Sequence, residues 1–316
     1  MTGKNGTGIY PGKRGLRYRF AKHPQLLLFM LIPIVWLILF KYVPMVGAQI
    51  AFRRYSIKGG LWGSDWVGLD NFVKFFTSYQ FARVLPNTIK LSIYALIAGF
   101  PIPIILALSL NAVRSARYRK LVQTVIYLPH FISVVVLVGM IMAIFNPRIG
   151  LYGIFGEKLT GQYPIDLFAK ANSFPHMYVW SGVWQNMGWS TIIYTAALSS
   201  VDMELHEAAQ IDGASRFARV IHIDLWVILP TATIMLILSS GSIMSVGFEK
   251  VYLMQNKLNL STSEVISTYV YKVGMTAGNS DYSYSTAIGM FNSLVNMLML
   301  CLVNFIAGRL SATSLW

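Results

Sequence analysis

The residues with the greatest potential for chemistry lie together in the stretch His206-Glu207-Ala208-Ala209-Gln210. Zinc peptidases use a helix with the order His-Glu-x-x-His, in which the histidines bind the metal and the glutamate acts as a base. Gln210 stands where the second histidine would be, and no group of Cys and His residues supports a metal site. The pattern therefore predicts neither a metal site nor catalytic residues.

A nucleotide-binding loop is the second candidate, because the pair Gly12-Lys13 is similar to the end of a phosphate-binding loop. That motif also needs a glycine at its start and a Ser or Thr after the lysine. Thr7 and Arg14 occupy those positions. We therefore expect that the chain binds no cofactor, is not an enzyme, and receives energy for any work from a partner.

The composition indicates a membrane protein. The 316 residues are 55% hydrophobic and 12% charged, whereas typical soluble domains have about 25% charged residues. The net charge of +14 comes from basic residues dispersed around apolar runs. We interpret it as a topology signal and expect no nucleic-acid partner. The single cysteine, Cys301, lies within an apolar run and cannot form an internal disulfide bond.

Six apolar runs are long enough to cross a bilayer, which takes ~20 residues. They are Leu26–Val46, Asn87–Leu110, Leu121–Phe145, Met177–Ser200, Trp226–Phe248 and Tyr284–Ile306. Prolines such as Pro101 and Pro129 are tolerable kinks within them, because neighbouring helices satisfy the freed backbone groups. A secretory signal at Leu26–Phe40 is disfavoured, because the rest of the chain is itself repeatedly apolar. These runs predict an all-α membrane protein.

The short loops predict the orientation. The N-terminal tail, residues 1–25, and the loop after the second run, around residues 114–120, are basic and contain no acid. Basic residues accumulate on the cytoplasmic side, so this tail, the C-terminal tail 309–316 and the segment between the fourth and fifth runs are predicted to be cytoplasmic. The transmembrane domain is then residues 26–308. The first outer loop is also basic, which makes the charge asymmetry less clear.

The segment between the fourth and fifth runs, Val201–Leu225, is a polar and charged connection. Good helix formers precede Gly213, and glycine is the usual residue where a helix ends in a left-handed turn. Asp212 can cap a following helix, which we expect at about Ala214–Ile223, with Phe217 on its apolar side. These features predict two short helices in a compact 201–225 loop. The alternative is a re-entrant amphipathic loop that lies on its own bundle.

The order of residues in this loop carries a resemblance. Glu207-Ala208-Ala209, three residues, Gly213, nine residues and then Ile223-Asp224-Leu225 resembles the cytoplasmic loop of permease subunits of bacterial ABC importers. That family usually has a proline directly after the Ile-x-Leu. Here Trp226 stands at that position and Pro230 follows, which leaves the entry into the fifth run open.

Two further stretches, Trp66–Phe72 and Gly247–Tyr271, are similar to the carbohydrate-uptake branch, the maltose-permease-like proteins, and within it to the polysaccharide-type permeases. The resemblance extends from about Leu26 to the C-terminus. It implies a type I importer permease with a core of six transmembrane helices and a cytoplasmic coupling helix in the 201–225 loop.

The resemblance also implies partners. They are a second homologous permease subunit, two ATPase subunits that hold ATP and Mg, an extracytoplasmic solute-binding protein and the lipid of a bacterial inner membrane. The residues implied at the ATPase contact are Glu207, Ala208, Ala209, Asp212, Gly213, Arg216 and Phe217. Glu207 would meet a basic group, the small residues would keep the loop slim, and Phe217 would enter the ATPase cleft.

The implied substrate is an oligosaccharide. Sugar sites combine aromatic platforms with amide and hydroxyl groups, and the candidates for the path are Trp184, Gln185, Asn186, Trp189, Tyr194, Asn292 and Asn296. The alternative is that several of them only pack helices together. The basic excess of the outer loops is compatible with an acidic sugar, such as an oligouronate from alginate or pectin.

A self-sufficient secondary transporter or channel for a small polar solute is the second hypothesis for function. Ion-coupled transporters commonly carry buried acids, whereas the six apolar runs contain no Asp or Glu. His130 is the titratable group expected in the middle of a run, and a single histidine is more often a packing residue. Transport in the absence of an ATPase would identify this second class.

Overall fold

The computed structural model describes residues 24–276 and 280–310, which are mostly helical. Residues 1–23 and 311–316 of the two predicted tails lie outside the described residues. In the first half the α-helices are α1 (Pro24–Leu37), α2 (Val43–Gly47), α3 (Asp70–Phe76), α4 (Tyr79–Gly99), α5 (Pro101–Ala112), α6 (Ala116–Tyr127), α7 (Val134–Ile144) and α8 (Leu151–Thr160).

In the second half the α-helices are α9 (Phe174–Leu198), α10 (Met203–Ile211), α11 (Arg216–Arg219), α12 (Leu225–Ser240), α13 (Phe248–Met254), α14 (Leu260–Ser263), α15 (Ile266–Tyr271) and α16 (Tyr282–Leu310). The π-helical turns are Ile38–Tyr42, Val220–Asp224 and Lys272–Thr276. The 3-10 turns are Ala48–Phe52, Leu128–Phe131 and Ala171–Ser173.

Within the described residues, four helical stretches are long and apolar enough to cross a membrane: Leu28–Phe52, Tyr79–Ala112, Arg216–Ser240 and Tyr282–Arg309. They correspond to the first, second, fifth and sixth predicted runs. The fourth run forms the 25-residue helix α9 but does not meet the criterion, and we attribute this to its polar residues. By length and composition the described residues therefore contain four candidate spans, or five if the bent pair is counted as one, and the count of six stays a prediction.

The bent pair occupies the third predicted run, where we expected a single helix with a kink at Pro129. The helical stretches Ala116–Phe131 and Val134–Ile144 instead meet at 101°. Pro129 lies in the 3-10 turn between them. Ser133 Oγ then accepts a hydrogen bond from the Val136 backbone N at 3.3 Å. An N-cap of this kind starts a new helix, so the cap and the proline together make a sharp break.

The entry into the fifth run, which the sequence leaves open, lies before Trp226, and the helix ends at Ser240 and not at Phe248. The short helix α11 continues through the π turn Val220–Asp224 into α12, so one helical stretch extends from Arg216 to Ser240. The separate helix predicted at Ala214–Ile223 is the first part of this stretch. A proline would remove a backbone N–H at the junction, whereas Trp226 retains its N–H and allows the helix to continue.

A β-hairpin was not predicted. Strands β1 (Arg53–Ser56) and β2 (Gly60–Trp66) pair antiparallel, with Arg53 opposite Trp66. Gly60 at the turn has φ of +61°, a conformation that glycine adopts without strain. Asn71, from the stretch similar to the permeases, donates to the Ala51 and Arg53 carbonyl oxygens at 2.8 and 3.2 Å. The amide therefore ties α3 to the base of the hairpin.

Helix α9 is central to the bundle, where it packs against α4, α5, α6 and α12. At one end of α9, a buried cluster that includes Phe174, Val179 and Val251 joins it to α13. At the other end, Tyr194, Leu198 and Ile228 form a second cluster with α5 and α12. The polar residues of α9 between these clusters are consequently held inside the bundle, next to the candidate site.

Candidate functional site: a central cavity and the 201–225 loop

A cavity of about 510 Å³ lies beside α9 and the segment that leads into α13. This volume is within the range of ~300–1,000 Å³ that is usual for ligand sites. Two of the predicted path residues, Gln185 and Asn186, line the cavity. Tyr178, Ser190, Glu249 and Lys250 contribute the other main polar groups.

Lys250 supplies the unpaired positive charge of this cavity. It is buried, with 7% of its surface exposed, and its Nζ donates to the Tyr178 carbonyl oxygen at 2.9 Å. The same ammonium group lies 4.8 Å from the centre of the Tyr178 ring. No ion pair joins Lys250 to a carboxylate of the described residues. Lys250 lies outside the candidate spans, and removal from water lowers its pKa to about 8.

The amides of Gln185 and Asn186 have different environments. Gln185 is buried and its Nε2 donates to the Ile132 carbonyl oxygen at 2.8 Å, so it supports the break between α6 and α7. Asn186 is exposed, and its Oδ1 lies 3.1 Å from His130 Nδ1. The His130 ring stacks on Trp189 with centroids 4.5 Å apart. Asn186, His130 and Trp189 therefore form one connected polar and aromatic surface.

The other predicted path residues lie away from the cavity lining. Trp184 and Trp189 are exposed but do not line it, and Tyr194 is buried in the cluster at the far end of α9. On α16, Asn296 accepts from the Met244 backbone N at 2.8 Å and donates to Ser245 Oγ at 2.9 Å. Asn296 therefore holds helices together, as the alternative interpretation proposed. Asn292 is half-buried, and its Oδ1 has no hydrogen-bond partner among the residues that the structure describes.

A smaller cavity of about 180 Å³ adjoins the first and shares Ala95, Tyr178 and Gly247 with it. Its polar lining consists of serines 92, 239, 242 and 245. Ser92 is buried, and its hydroxyl has no hydrogen-bond partner within residues 24–276 and 280–310. The two cavities together form a region lined by hydroxyl, amide and ammonium groups.

The 201–225 loop has a well-defined local structure. Asp202 caps α10, because its Oδ1 accepts from the Glu204 backbone N at 3.0 Å. Gly213 has φ of +80°, as predicted for a left-handed turn after a helix. The predicted cap of the next helix at Asp212 is wrong. Ser215 has this role, since its Oγ accepts from the Ala218 backbone N at 3.2 Å, and its position directly before Arg216 matches the observed helix start.

A buried polar junction holds the loop to the bundle. Asp224 is 2% exposed, and its Oδ1 lies 3.1 Å from His206 Nε2 and 3.3 Å from Asn111 Nδ2. His206 belongs to α10, Asn111 to the end of α5, and Asp224 to the π turn below α12. Arg219 Nη1 adds a contact of 3.2 Å to Gln210 Oε1. The histidine and glutamine that resemble part of a zinc motif are thus both engaged in fixing the loop.

Most of the residues implied at the ATPase contact lie on the surface of this loop. Ala209 is half-buried, and the exposed ones are Glu207, Ala208, Asp212, Gly213, Arg216 and Phe217. Phe217 is 74% exposed and Ile211 is 86% exposed, so apolar side chains face outward together with the charged ones.

Comparison with known proteins identifies the family. Residues 99–312 match the model of the binding-protein-dependent transport system inner membrane component. The chain belongs to this family. It is 41% identical to Protein LplB of Bacillus subtilis (strain 168), over 99% of this chain and 98% of that protein. It is 39% identical to the polygalacturonan/rhamnogalacturonan transport system permease protein YteP of the same organism, over 94% of this chain and 92% of that protein.

Two solved structures are similar to the whole fold. The first is a chain of a bacterial ABC transporter involved in the import of the acidic polysaccharide alginate, with a TM-score of 0.85 and 35% identity over 94% of this chain and 99% of that one. The second is a bacterial alginate ABC transporter in complex with an alginate pentasaccharide-bound periplasmic protein, with a TM-score of 0.86 and 35% identity over 95% and 99%. The predicted ABC importer permease fold is confirmed.

The sequence interpretation missed Lys250 as a cavity residue. Lys250 follows directly after the fifth apolar run, and a lysine at that position usually extends to the membrane surface. The stretch Gly247–Tyr271 had been compared with the permeases, but its pattern did not indicate that the chain turns after Ser240 and directs α13 back against α9. The sequence also did not indicate that the serines of the smaller cavity line a site, because serines in apolar runs commonly serve only for close packing.

Proposed function

We propose that this chain is the permease subunit of an ATP-driven importer and that it translocates an acidic oligosaccharide. The permease assignment rests on the family and on the fold shared with the alginate transporters. The observation that carries the substrate class is the buried Lys250 in the central cavity, which has no carboxylate partner within the described residues. A charge buried without a partner is costly, and a substrate carboxylate would compensate it during passage.

The names of the relatives support the same class. One solved structure is of a transporter for alginate, an acidic polysaccharide, and one relative is named for polygalacturonan and rhamnogalacturonan transport. Sugar hydroxyl groups would find partners in Asn186 and in the serines of the smaller cavity, while Tyr178 offers an aromatic surface. An oligouronate would place one of its carboxylates near Lys250. A neutral sugar has no such group, so this contact would distinguish the two substrates.

The energy for transport would come from ATPase subunits that hold ATP and Mg and bind the 201–225 loop. Glu207 and Phe217 are exposed on this loop, while the junction of Asp224, His206 and Asn111 fixes the loop to two helices of the bundle. Closure of the ATPases would move the loop and thereby shift the helices between inward-open and outward-open states. We place both termini and this loop in the cytoplasm, on the basis of the distribution of basic residues.

A second, homologous permease subunit and an extracytoplasmic solute-binding protein would complete the importer. The apolar part of the helical stretch Leu28–Phe52 is not buried, so it would contact lipid or another subunit, whereas the last turn of the stretch, Ala48–Phe52, packs against α16. The β-hairpin packs against the start of α16, and its Trp62 is 74% exposed. We assign the surface around the hairpin to the solute-binding protein, because the predicted topology places this connection on the outer side of the membrane, opposite the proposed ATPase contact.

The substrate class is tested by uptake of an acidic and a neutral oligosaccharide of equal length into vesicles that contain the assembled transporter. We expect the wild type to prefer the acidic sugar, Lys250→Met to lose roughly tenfold of that preference, and Lys250→Arg to retain it. Equal uptake of both sugars by the wild type, or a preference for the neutral one, contradicts the acidic substrate. Uptake of solute without ATP and without any co-purifying ATPase would contradict the importer itself and favour the self-sufficient transporter.

A further inference from the structure

A separate cavity of about 490 Å³ lies between the segment 111–119 and the 201–225 loop. We propose that this basic cleft binds a phosphate group, carried either by an anionic lipid or by a soluble phosphate compound. The cleft is lined by four arginines, Arg114, Arg119, Arg216 and Arg219. Its volume is within the range of ~300–1,000 Å³ of known ligand sites, and the cleft is distinct from the central cavity beside Lys250.

The charges around the basic cleft are not balanced within the described part of the chain. Its one carboxylate, Asp224, is buried and is already engaged with His206 and Asn111. No ion pair joins any of the four arginines to a carboxylate of the described residues. Like charges gathered around one cavity repel each other and concentrate anions from solution. An anion in the cleft would relieve this repulsion.

The arginines also have the chemistry that phosphate requires. A guanidinium group presents a planar set of donors that matches phosphate oxygens with two parallel hydrogen bonds. Arg219 is held in position because its Nη1 contacts Gln210 Oε1 at 3.2 Å and the His206 carbonyl oxygen at 3.4 Å. Its Nε is buried and has no hydrogen-bond partner in the part of the chain that the structure describes. Arg119 is half-buried at the opposite wall, so donors face the cleft from both sides.

A bound phosphate would have a mechanical effect. Arg114 lies in the connection after α5 and Arg119 lies in α6, whereas Arg216 and Arg219 belong to α11 at the start of the long helical stretch. A phosphate between them would bridge two segments that otherwise meet through Asp224 and its partners. Occupancy of the cleft would therefore stabilise the loop against the bundle, independently of any sugar or ATPase.

The test uses the purified full-length chain in a neutral detergent, with inorganic pyrophosphate as the soluble probe and phosphatidylglycerol as the lipid probe. Binding of pyrophosphate is measured by calorimetry, and retention of phosphatidylglycerol by native mass spectrometry. The variant is Arg119→Gln with Arg216→Gln. Neither side chain makes a hydrogen bond or ion pair with a described residue, so this change removes charge without breaking an internal contact.

The matched control is Arg117→Gln, because Arg117 is exposed on the same helix as Arg119 and does not line the cleft. We expect at least one probe to bind to the wild type, with roughly tenfold weaker binding in the double variant and no change in the control. Retention of phosphatidylglycerol alone identifies a lipid, and binding of pyrophosphate identifies a soluble ligand. Binding of neither probe, or an equal loss in Arg117→Gln, overturns the proposal. This assay measures no transport, so its outcome is independent of the proposed substrate.

Discussion

At the junction around Asp224 in the 201–225 loop the buried polar side chains contact each other, whereas in the central cavity several of them face open space. Asp224 has two partners from different segments, and Arg219 Nη1 has two more, while Arg219 Nε has none among the described residues. In the cavity, by contrast, the described residues supply no carboxylate partner to Lys250 and no hydrogen-bond partner to the Ser92 hydroxyl. Both regions lie next to the same long helices, so the difference is in their polar chemistry and not in their burial.

The difference indicates that the loop and the cavity have different functions. A buried polar group that is fully paired rigidifies its surroundings, and one that is left unpaired costs free energy. The loop therefore has the properties of a part that transmits force without deforming. The cavity has the properties of a part that exchanges its own unsatisfied groups for those of a ligand. Four changes would break or sharpen this contrast.

The largest effect is expected from Gly213→Pro. Proline fixes φ at about −65°, whereas Gly213 has φ of +80°, so the turn after α10 cannot form. We expect the amount of ATPase that co-purifies with the chain to fall roughly tenfold or more. Gly213→Asn should retain most of it, because asparagine tolerates the left-handed conformation.

Gly161 provides a matched control at a distance from the loop, since it has φ of +74° at the end of α8. Gly161→Pro imposes the same backbone conflict but should leave co-purification of the ATPase unchanged. If Gly161→Pro reduces co-purification as much as Gly213→Pro, the loss reflects general misfolding and the loop has no special role in the contact.

The second change, Asp224→Ala, removes the centre of the loop junction. His206 and Asn111 then lose a buried partner, so we expect the free energy of unfolding in detergent to decrease by about 2 kcal/mol. Asp202→Ala removes the exposed cap of α10 and should cost about 1 kcal/mol. Equal costs for the two variants would show that the junction is no more important than an ordinary helix cap.

The third change is a change of pH, which alters the charge of Lys250 in the cavity. Burial lowers the pKa of Lys250 to about 8, so the ammonium form prevails below that pH and is lost above it. Uptake of an acidic oligosaccharide should therefore decrease several-fold as the pH rises through about 8. The other titratable groups that line the cavity are Tyr178 and Glu249, and Lys250→Arg should remove the pH dependence if Lys250 is its source.

As the pH rises above about 8, the free energy of unfolding should increase while uptake decreases. The pKa of Lys250 is lower in the folded state than its ordinary value of 10.5, so the unfolded chain binds more protons between these two values and stability increases with pH there. A decrease of uptake together with constant or higher stability would assign the effect to binding. A parallel decrease of uptake and of stability would refute the assignment to binding.

The smallest effect is expected from Ser92→Ala. Because the Ser92 hydroxyl has no partner, its removal should change the free energy of unfolding by no more than about 0.5 kcal/mol. Thr88, one turn earlier on α4, donates to the Val84 carbonyl oxygen and accepts from the Ile266 backbone N at 3.0 Å. Thr88→Val should cost about 1–3 kcal/mol. Similar costs at both positions, measured by equilibrium unfolding, would mean that Ser92 has a partner after all.

The sequence predicted what depends on composition and on local conformation. Five of the six apolar runs correspond to single helices or to unbroken helical stretches, because a long apolar run has few alternatives to a helix in lipid. The left-handed turn at Gly213 was predicted because such a turn depends on one residue. The exposed surface of the 201–225 loop followed from its polarity.

What depends on tertiary contacts was not predicted. The break in the third run required both Pro129 and the cap by Ser133, and either residue alone is common within helices. Tyr194 and Asn296 have the residue types of a sugar site, but the neighbouring helices enclose the first and engage the second. Lys250 reaches the cavity only because α13 returns towards α9, which no local pattern encodes.

The unbroken helical stretch from Arg216 to Ser240 allows a movement of the 201–225 loop to tilt the whole stretch as one rigid piece. Its 25 residues span ~37 Å at the usual rise per residue, so a tilt of about 10° displaces the far end by ~6 Å. That far end continues through Gly241 to Gly247 into the segment that holds Lys250 above Tyr178. A modest push at Phe217 would therefore be enough to widen or close the cavity by the thickness of a sugar ring, with no change in the length of any helix.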